Sequence, residues 1–108
     1  MPAIGIKRPL CLAAGLLVLA AGARPVPAQD IFAGRGVYDA HCASCHGPDG
    51  TATVPGTPNF SEGKGLDFSD RELVRVIKLG RNVMPGYDRV LKETEIIDVI
   101  SYIRTLRR

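Results

Sequence analysis

Within five consecutive residues, Cys42-Ala43-Ser44-Cys45-His46, the chain places two thiols three positions apart and an imidazole directly after the second. Whatever fold the chain adopts must be built around that cluster. A zinc site normally completes its shell with a second cysteine pair or spaced histidines. Here the only other histidine is His41, next to Cys42. A thioredoxin-like redox pair calls for strands alternating with helices, and no alternating pattern is visible. A structural disulfide is open to any two cysteines in an oxidising compartment. The remaining reading, C-x-x-C-H as a haem-attachment motif, accounts for the histidine as well as the spacing. Two thiols at the end of a helix can reach the two vinyl groups on one edge of the macrocycle. His46 then falls beneath the iron as its proximal ligand. One covalent haem c with its iron is the cofactor expected.

The N-terminus carries its own signal. Lys7 and Arg8 precede an apolar stretch from Leu10 to Ala23, and Val26-Pro27-Ala28 offers small or modest residues at the −3 and −1 positions of a cleavage site. The stretch is shorter than the roughly 20 residues that span a bilayer comfortably. Residues 1–28 are therefore expected to be a signal peptide and residues 29–108 the functional domain, with cleavage after Ala23 as the alternative boundary. Cys11 leaves with the signal on this reading. The formal net charge of +3 is also misleading. Lys7, Arg8 and Arg24 lie in the leader, so the remainder holds 11 basic and 11 acidic residues. Such a balance gives no footprint for nucleic acid or for a membrane surface.

The roughly 80 residues left form a domain small enough to need a staple, and covalent haem supplies one. Three helices are expected. The first runs from Ile31 to Cys45, with Ile31, Gly34, Tyr38 and Cys42 sharing a face. The second runs from Asp70 to Leu79. Ser69 and Glu72 form a capping box at its start, Leu73, Val76 and Ile77 make its apolar stripe, and Gly80 ends it. The third runs from Glu93 to Arg107 on the stripe Ile96, Val99, Ile100, Ile103 and Leu106. Acids at its start and arginines at its end suit the helix dipole. The segment from Gly47 to Gly65, dense in glycine and proline, reads as loop throughout. So long a loop is uncommon in a compact domain, unless it wraps a prosthetic group.

Met84 is the one methionine beyond the leader. It lies in Gly80-Arg81-Asn82-Val83-Met84-Pro85-Gly86, directly after the second helix. From there a thioether could reach the distal face of the haem, although methionine also serves as core filling. A thioether opposite an imidazole raises the reduction potential and closes the sixth coordination position. Nearby, His41 is expected to be solvated. Arg81 and Asn82 could bond a haem propionate or the methionine sulfur, or simply face solvent. Lys64, Lys78, Arg81, Arg89 and Lys92 could form a docking patch, with scattered surface charge as the preferred reading.

Taken together these residues resemble the class I c-type cytochromes of the short bacterial, monohaem kind, over essentially Ile31 to Leu106. Gly34, Tyr38 and Cys42 match the family's spacing on the N-terminal helix, and Tyr102 matches the aromatic of the C-terminal helix. The resemblance implies an all-α, small cytochrome c fold with three main helices and long loops wrapped around one haem. It implies that the two helices cross closely at Gly34, with Tyr38 and Tyr102 near the contact. It further implies that the Pro58 carbonyl accepts a hydrogen bond from His46, that Phe60 lines the haem wall, and that His46 and Met84 are the axial ligands.

The function expected is that of a periplasmic one-electron carrier and not an enzyme. Its partners would be larger redox proteins: a donor dehydrogenase or quinol-oxidising complex, and an acceptor oxidase or reductase. A monomer without stable membrane insertion after cleavage is expected. The alternative is a dedicated cytochrome subunit, or electron acceptor, of one periplasmic dehydrogenase or reductase. A catalytic or sensory haem would require Met84 to dissociate, and no general acid or base other than His41 lies near the motif.

Overall fold

The structure, a computed structural model, describes residues 29–108 together with Gly5 and Gly15. The expected signal peptide and Cys11 lie outside the described residues. Four α-helices, with no strand among the described residues, follow in order: α1 (Ile31–His41), α2 (Ala43–His46), α3 (Asp70–Leu79) and α4 (Glu93–Arg104). The all-α expectation holds. The first expected helix, however, is two. Cys42 breaks it at φ −114°, ψ −35°, although its N–H still bonds the Tyr38 carbonyl at 2.9 Å. The bend has tertiary causes. The Tyr38 hydroxyl donates to the Gly47 carbonyl at 2.6 Å, and the His46 ring is seated against Pro58 and Phe60. These contacts anchor the segment that follows the break to distant parts of the chain, which a local helical pattern cannot foretell.

α1 begins at Asp30, whose carboxylate accepts the Ala33 N–H at 3.0 Å, one of the donors a helix start leaves unpaired. It buries Gly34 and Tyr38 against α4. A Cβ at Gly34 would collide with the Asp98 carbonyl oxygen and stand 3.1 Å from the Tyr102 Cβ, so only a hydrogen fits between the two backbones. The Tyr38 and Tyr102 rings sit beside the crossing, 5.3 Å apart and tilted by 60°, an arrangement aromatic pairs favour. The expected crossing is thus present.

α3 matches its expected limits. Ser69 Oγ accepts the Glu72 N–H at 3.2 Å, and Glu72 Oε2 accepts the Ser69 N–H at 2.7 Å, the reciprocal capping box. At its end Gly80 adopts φ +77°, and a Cβ there would meet the Met84 carbonyl oxygen at 2.5 Å. α4 turns Ile96, Val99, Ile100 and Ile103 into the core, where Tyr38, Phe60, Leu66, Ile77 and Leu91 join them. It ends at Arg104, short of the expected Arg107. The Thr105 hydroxyl closes the last turn on the Tyr102 carbonyl, and the chain then turns so that the Arg108 N–H bonds the Ser61 carbonyl at 3.0 Å. Leu106 still packs on the core.

Arg104 ties the C-terminal helix to the loop in front of α3. Its guanidinium donates to the Leu66 carbonyl at 3.0 Å, the Phe68 carbonyl at 2.8 Å and the Asp70 carboxylate at 2.7 Å. The 47–65 segment is mostly loop, as expected, but Phe60–Glu62 forms one 3-10 turn. Phe60 is buried there, and Gly50 packs behind it.

Candidate functional site

A cleft of about 660 Å³ opens between the α2 end of the molecule and the segment after α3, within the ~300–1,000 Å³ typical of pockets that enclose a small molecule or cofactor. The stretch from α1 to the 3-10 turn contributes Cys42, Cys45, His46, Pro58 and Phe60 to its lining, and the segment after α3 contributes Met84. All six residues singled out from the sequence therefore line one cavity. Leu73, Val76, Ile77, Ile100 and Ile103 supply its apolar floor.

The proximal side is built by α2. His46, 9% exposed, is the one buried polar residue of the described core. Its Nδ1 stands 3.4 Å from the Pro58 carbonyl, and its ring stacks on Phe60 with centroids 4.4 Å apart and planes 10° from parallel. The Pro58 carbonyl selects the tautomer with the proton on Nδ1, which leaves the Nε2 lone pair available for a metal. Burial holds the imidazole below its ordinary pKa, and the Pro58 bond opposes this only in part. Burial thus favours the neutral ring, the form that ligates a metal. Cys42 is half-buried and Cys45 exposed, both as free thiols. Burial, with the neighbouring Cys45 adding to it, pushes the Cys42 thiol up to about 11.

The distal side is a short hairpin. Arg81 and Met84 exchange two backbone hydrogen bonds, at 3.1 and 2.9 Å. Asn82 takes φ +54° at its turn, a conformation asparagine tolerates better than most residues. Met84 is half-buried and touches the core. Arg81 and Asn82 are exposed and border the cleft.

The expectation for His41 needs correction. Its ring is half-buried, borders the cleft and meets the Tyr87 ring edge-on at 5.8 Å. Tyr87 thus pairs with a residue 46 positions earlier in the chain, a contact no local pattern signals. Tyr87 itself was missed by sequence reasoning, its one cue being an aromatic three residues after Met84. The basic residues give no coherent patch: Lys64 pairs with Glu62 and Lys78 with Glu93, each at 3.0 Å.

This donor set suits a haem held by its edge. Cys42 and Cys45 would hold it by addition of their thiols to its vinyl groups, the His46 imidazole and the Met84 thioether would supply donors for its iron, and Leu73, Val76, Ile77, Ile100 and Ile103 would give it aliphatic surroundings. A zinc site fits poorly, for among the described residues no three His, Cys, Asp or Glu side chains converge as a metal site.

Comparison with known proteins agrees. The chain matches the family described as cytochrome C oxidase, cbb3-type, subunit III over residues 29–103. It is 31% identical over 81 residues to cytochrome c6 of Chlorolobion braunii, covering 68% of this chain and 88% of that one. It is 33% identical over 99 residues to the cbb3-type cytochrome c oxidase subunit CcoP of Rhodobacter capsulatus, covering 82% of this chain but 33% of the subunit. The chain thus spans about a third of that relative. Its fold is similar to the KustC0563 c-type cytochrome, with a TM-score of 0.64 at 25% identity over 69% of this chain and 98% of the other. It also resembles cytochrome c6 from the diatom Phaeodactylum tricornutum, with a TM-score of 0.60 at 22% identity over 70% and 92% of the two chains. Because the family match begins before α1 and runs into α4, it takes in both sides of the cleft, and the chain belongs to this family of c-type cytochromes, which carry haem c and its iron covalently.

Proposed function

We propose that the protein is a one-electron carrier of the periplasm, with haem attached through Cys42 and Cys45 and iron held between His46 and Met84. The observation that carries this reading is the meeting of all four side chains in one apolar cleft. A bound haem would supply one-electron redox chemistry. The chain supplies ligation, low polarity and restraint. Pro58 fixes the imidazole, Phe60 backs it, and the 81–84 hairpin presents the thioether. With His46 and Met84 both holding the group, the chain would leave no open position for substrate chemistry.

The leader of residues 1–28 would deliver the chain to the periplasm, and residues 29–108 would be the haem domain. No helix among the described residues is long and apolar enough to cross a membrane. Partners would be a donor dehydrogenase or quinol-oxidising complex and an acceptor oxidase or reductase, met in small, transient encounters. A second reading, a cytochrome subunit dedicated to one respiratory complex, draws support from the likeness to CcoP.

Potentiometric titration of the purified holoprotein tests the carrier reading. A single one-electron transition is expected, with Met84→Ala shifting the potential downward and opening the iron to added ligands. An unchanged potential and visible spectrum in Met84→Ala would remove Met84 from the iron.

A further inference from the structure

The segment that presents Met84 is tied to its own neighbourhood by backbone bonds: Arg81 with Met84, Tyr87 N–H to the Ile77 carbonyl at 2.8 Å, and Asp88 N–H to the Lys78 carbonyl at 3.3 Å. All of these lie within the stretch from α3 onward. Among the described residues, one hydrogen bond joins residues 80–92 to residues 29–65. It runs from the Tyr87 hydroxyl to the His41 carbonyl, at 3.0 Å. His41 is the residue before Cys42, so the bond links the two sides of the cleft at the point where the haem thiol begins. The His41 and Tyr87 rings meet edge-on around it.

We infer that Tyr87 is a positioning residue, a clasp that holds the Met84 hairpin against the attachment motif and sets how readily Met84 leaves the sixth position. The inference rests on the assignment of Met84 as the distal ligand. On this inference the segment that carries Met84 and Tyr87 leaves the end of α1 when Met84 leaves the sixth position, and the Tyr87–His41 bond breaks with it. That bond therefore adds its free energy to the closed state and nothing to the open one. A ligand that binds only the open state is resisted by the same factor, since its apparent affinity is reduced by the fraction of molecules that are open. Because the acceptor is a backbone carbonyl, the clasp depends on the phenol of Tyr87 and not on the imidazole of His41.

The test is a spectroscopic titration of ferric holoprotein with imidazole, together with the far-red methionine–iron absorption. Wild type, Tyr87→Phe, His41→Ala and Met84→Ala are compared. Tyr87→Phe should keep the far-red band without imidazole, yet bind imidazole roughly two- to tenfold more tightly, the range expected for one net hydrogen bond. His41→Ala keeps the carbonyl and should stay closer to wild type. Amide exchange at Met84 and Tyr87 should quicken in Tyr87→Phe. Wild-type imidazole affinity and exchange in a Tyr87→Phe protein that retains the band would overturn the clasp. Absence of the band from wild type would instead overturn the Met84 assignment on which it rests.

Discussion

Two glycines in one helix should respond to the same substitution with opposite signs. Gly34 and Gly36 both lie in α1, where alanine is intrinsically better than glycine by about 0.5–1 kcal/mol. Around Gly36 nothing lies within 4 Å of the position a Cβ would take, so Gly36→Ala should stabilise the protein by that amount. At Gly34 the same methyl would strike the Asp98 carbonyl oxygen and stand 2.5 Å from its carbon, where about 3.5–4.0 Å is a comfortable separation. Both neighbours are helical backbone, so neither can turn aside as a side chain would. α1 must withdraw from α4 by about 1 Å, and gaps of that size forfeit a quarter to a half of each contact they open. The withdrawal would also loosen the Tyr38–Tyr102 pair and the bond from Asp30 N–H to the Asp98 carboxylate, now 3.0 Å. Overpacking costs about 1–3 kcal/mol, and a backbone collision belongs near the top of that range. After the propensity gain, a net loss of about 2 kcal/mol remains, or roughly 8–16 °C in a domain this small. Guanidinium unfolding of the holoproteins, followed by far-ultraviolet circular dichroism and Soret absorbance, measures both variants. If Gly34→Ala matched or exceeded wild type, or moved together with Gly36→Ala, the close crossing of α1 and α4 would be refuted.

Other perturbations have equally definite outcomes. Tyr38 is 0% exposed, and Tyr38→Phe leaves the Gly47 carbonyl without its donor, so chemical denaturation should show a loss of about 1–3 kcal/mol. Ser69→Ala removes the Glu72 N–H acceptor and should cost about 1 kcal/mol in the same assay. Bonds from Ser69 hold the Glu72 carboxyl below the usual range, and bonds from Thr51 and then Arg108 do the same for Asp49. Folded pKa values below the unfolded ones, about 4.3 and 3.9, mean stability that is present at neutral pH and fades as the pH falls through the folded values. Glu72→Gln and Asp49→Asn should each flatten the acid limb of the thermal midpoint relative to wild type. Tyr38 runs the other way. Burial raises its phenol far above the ordinary value, so stability that is present below about pH 10 should decline above it, and the decline should lessen in Tyr38→Phe.

Much of this molecule is written locally. Ser69, Glu72 and Gly80 delimit α3 to the residue because caps and terminators act within one turn. The stripe from Ile96 to Ile103 announces the core face of α4, whereas the crossing at Gly34, Tyr38 and Tyr102 was legible only through the family resemblance. The residues proposed to carry the cofactor were legible because C-x-x-C-H compresses its chemistry into five positions. What escaped depends on contacts between distant parts of the chain. The break at Cys42 follows from Tyr38 reaching Gly47 and His46 reaching Pro58. The early end of α4 follows from Arg108 bonding Ser61, and the 3-10 turn at Phe60 from packing against Gly50. The Tyr87–His41 contact joins residues with no shared periodicity, which is why His41 was expected in solvent.

The most direct test of the account is the fate of the haem when the protein is denatured. The chain should be expressed with its own leader in a host that can attach haem, then extracted with acid acetone and weighed intact. Haem should stay with the protein, adding the mass of one haem to a chain that begins near residue 29, and Cys42→Ala/Cys45→Ala should lose it. Haem that extracts freely from the wild-type chain, or a double variant that still carries it after extraction, would contradict covalent attachment through Cys42 and Cys45.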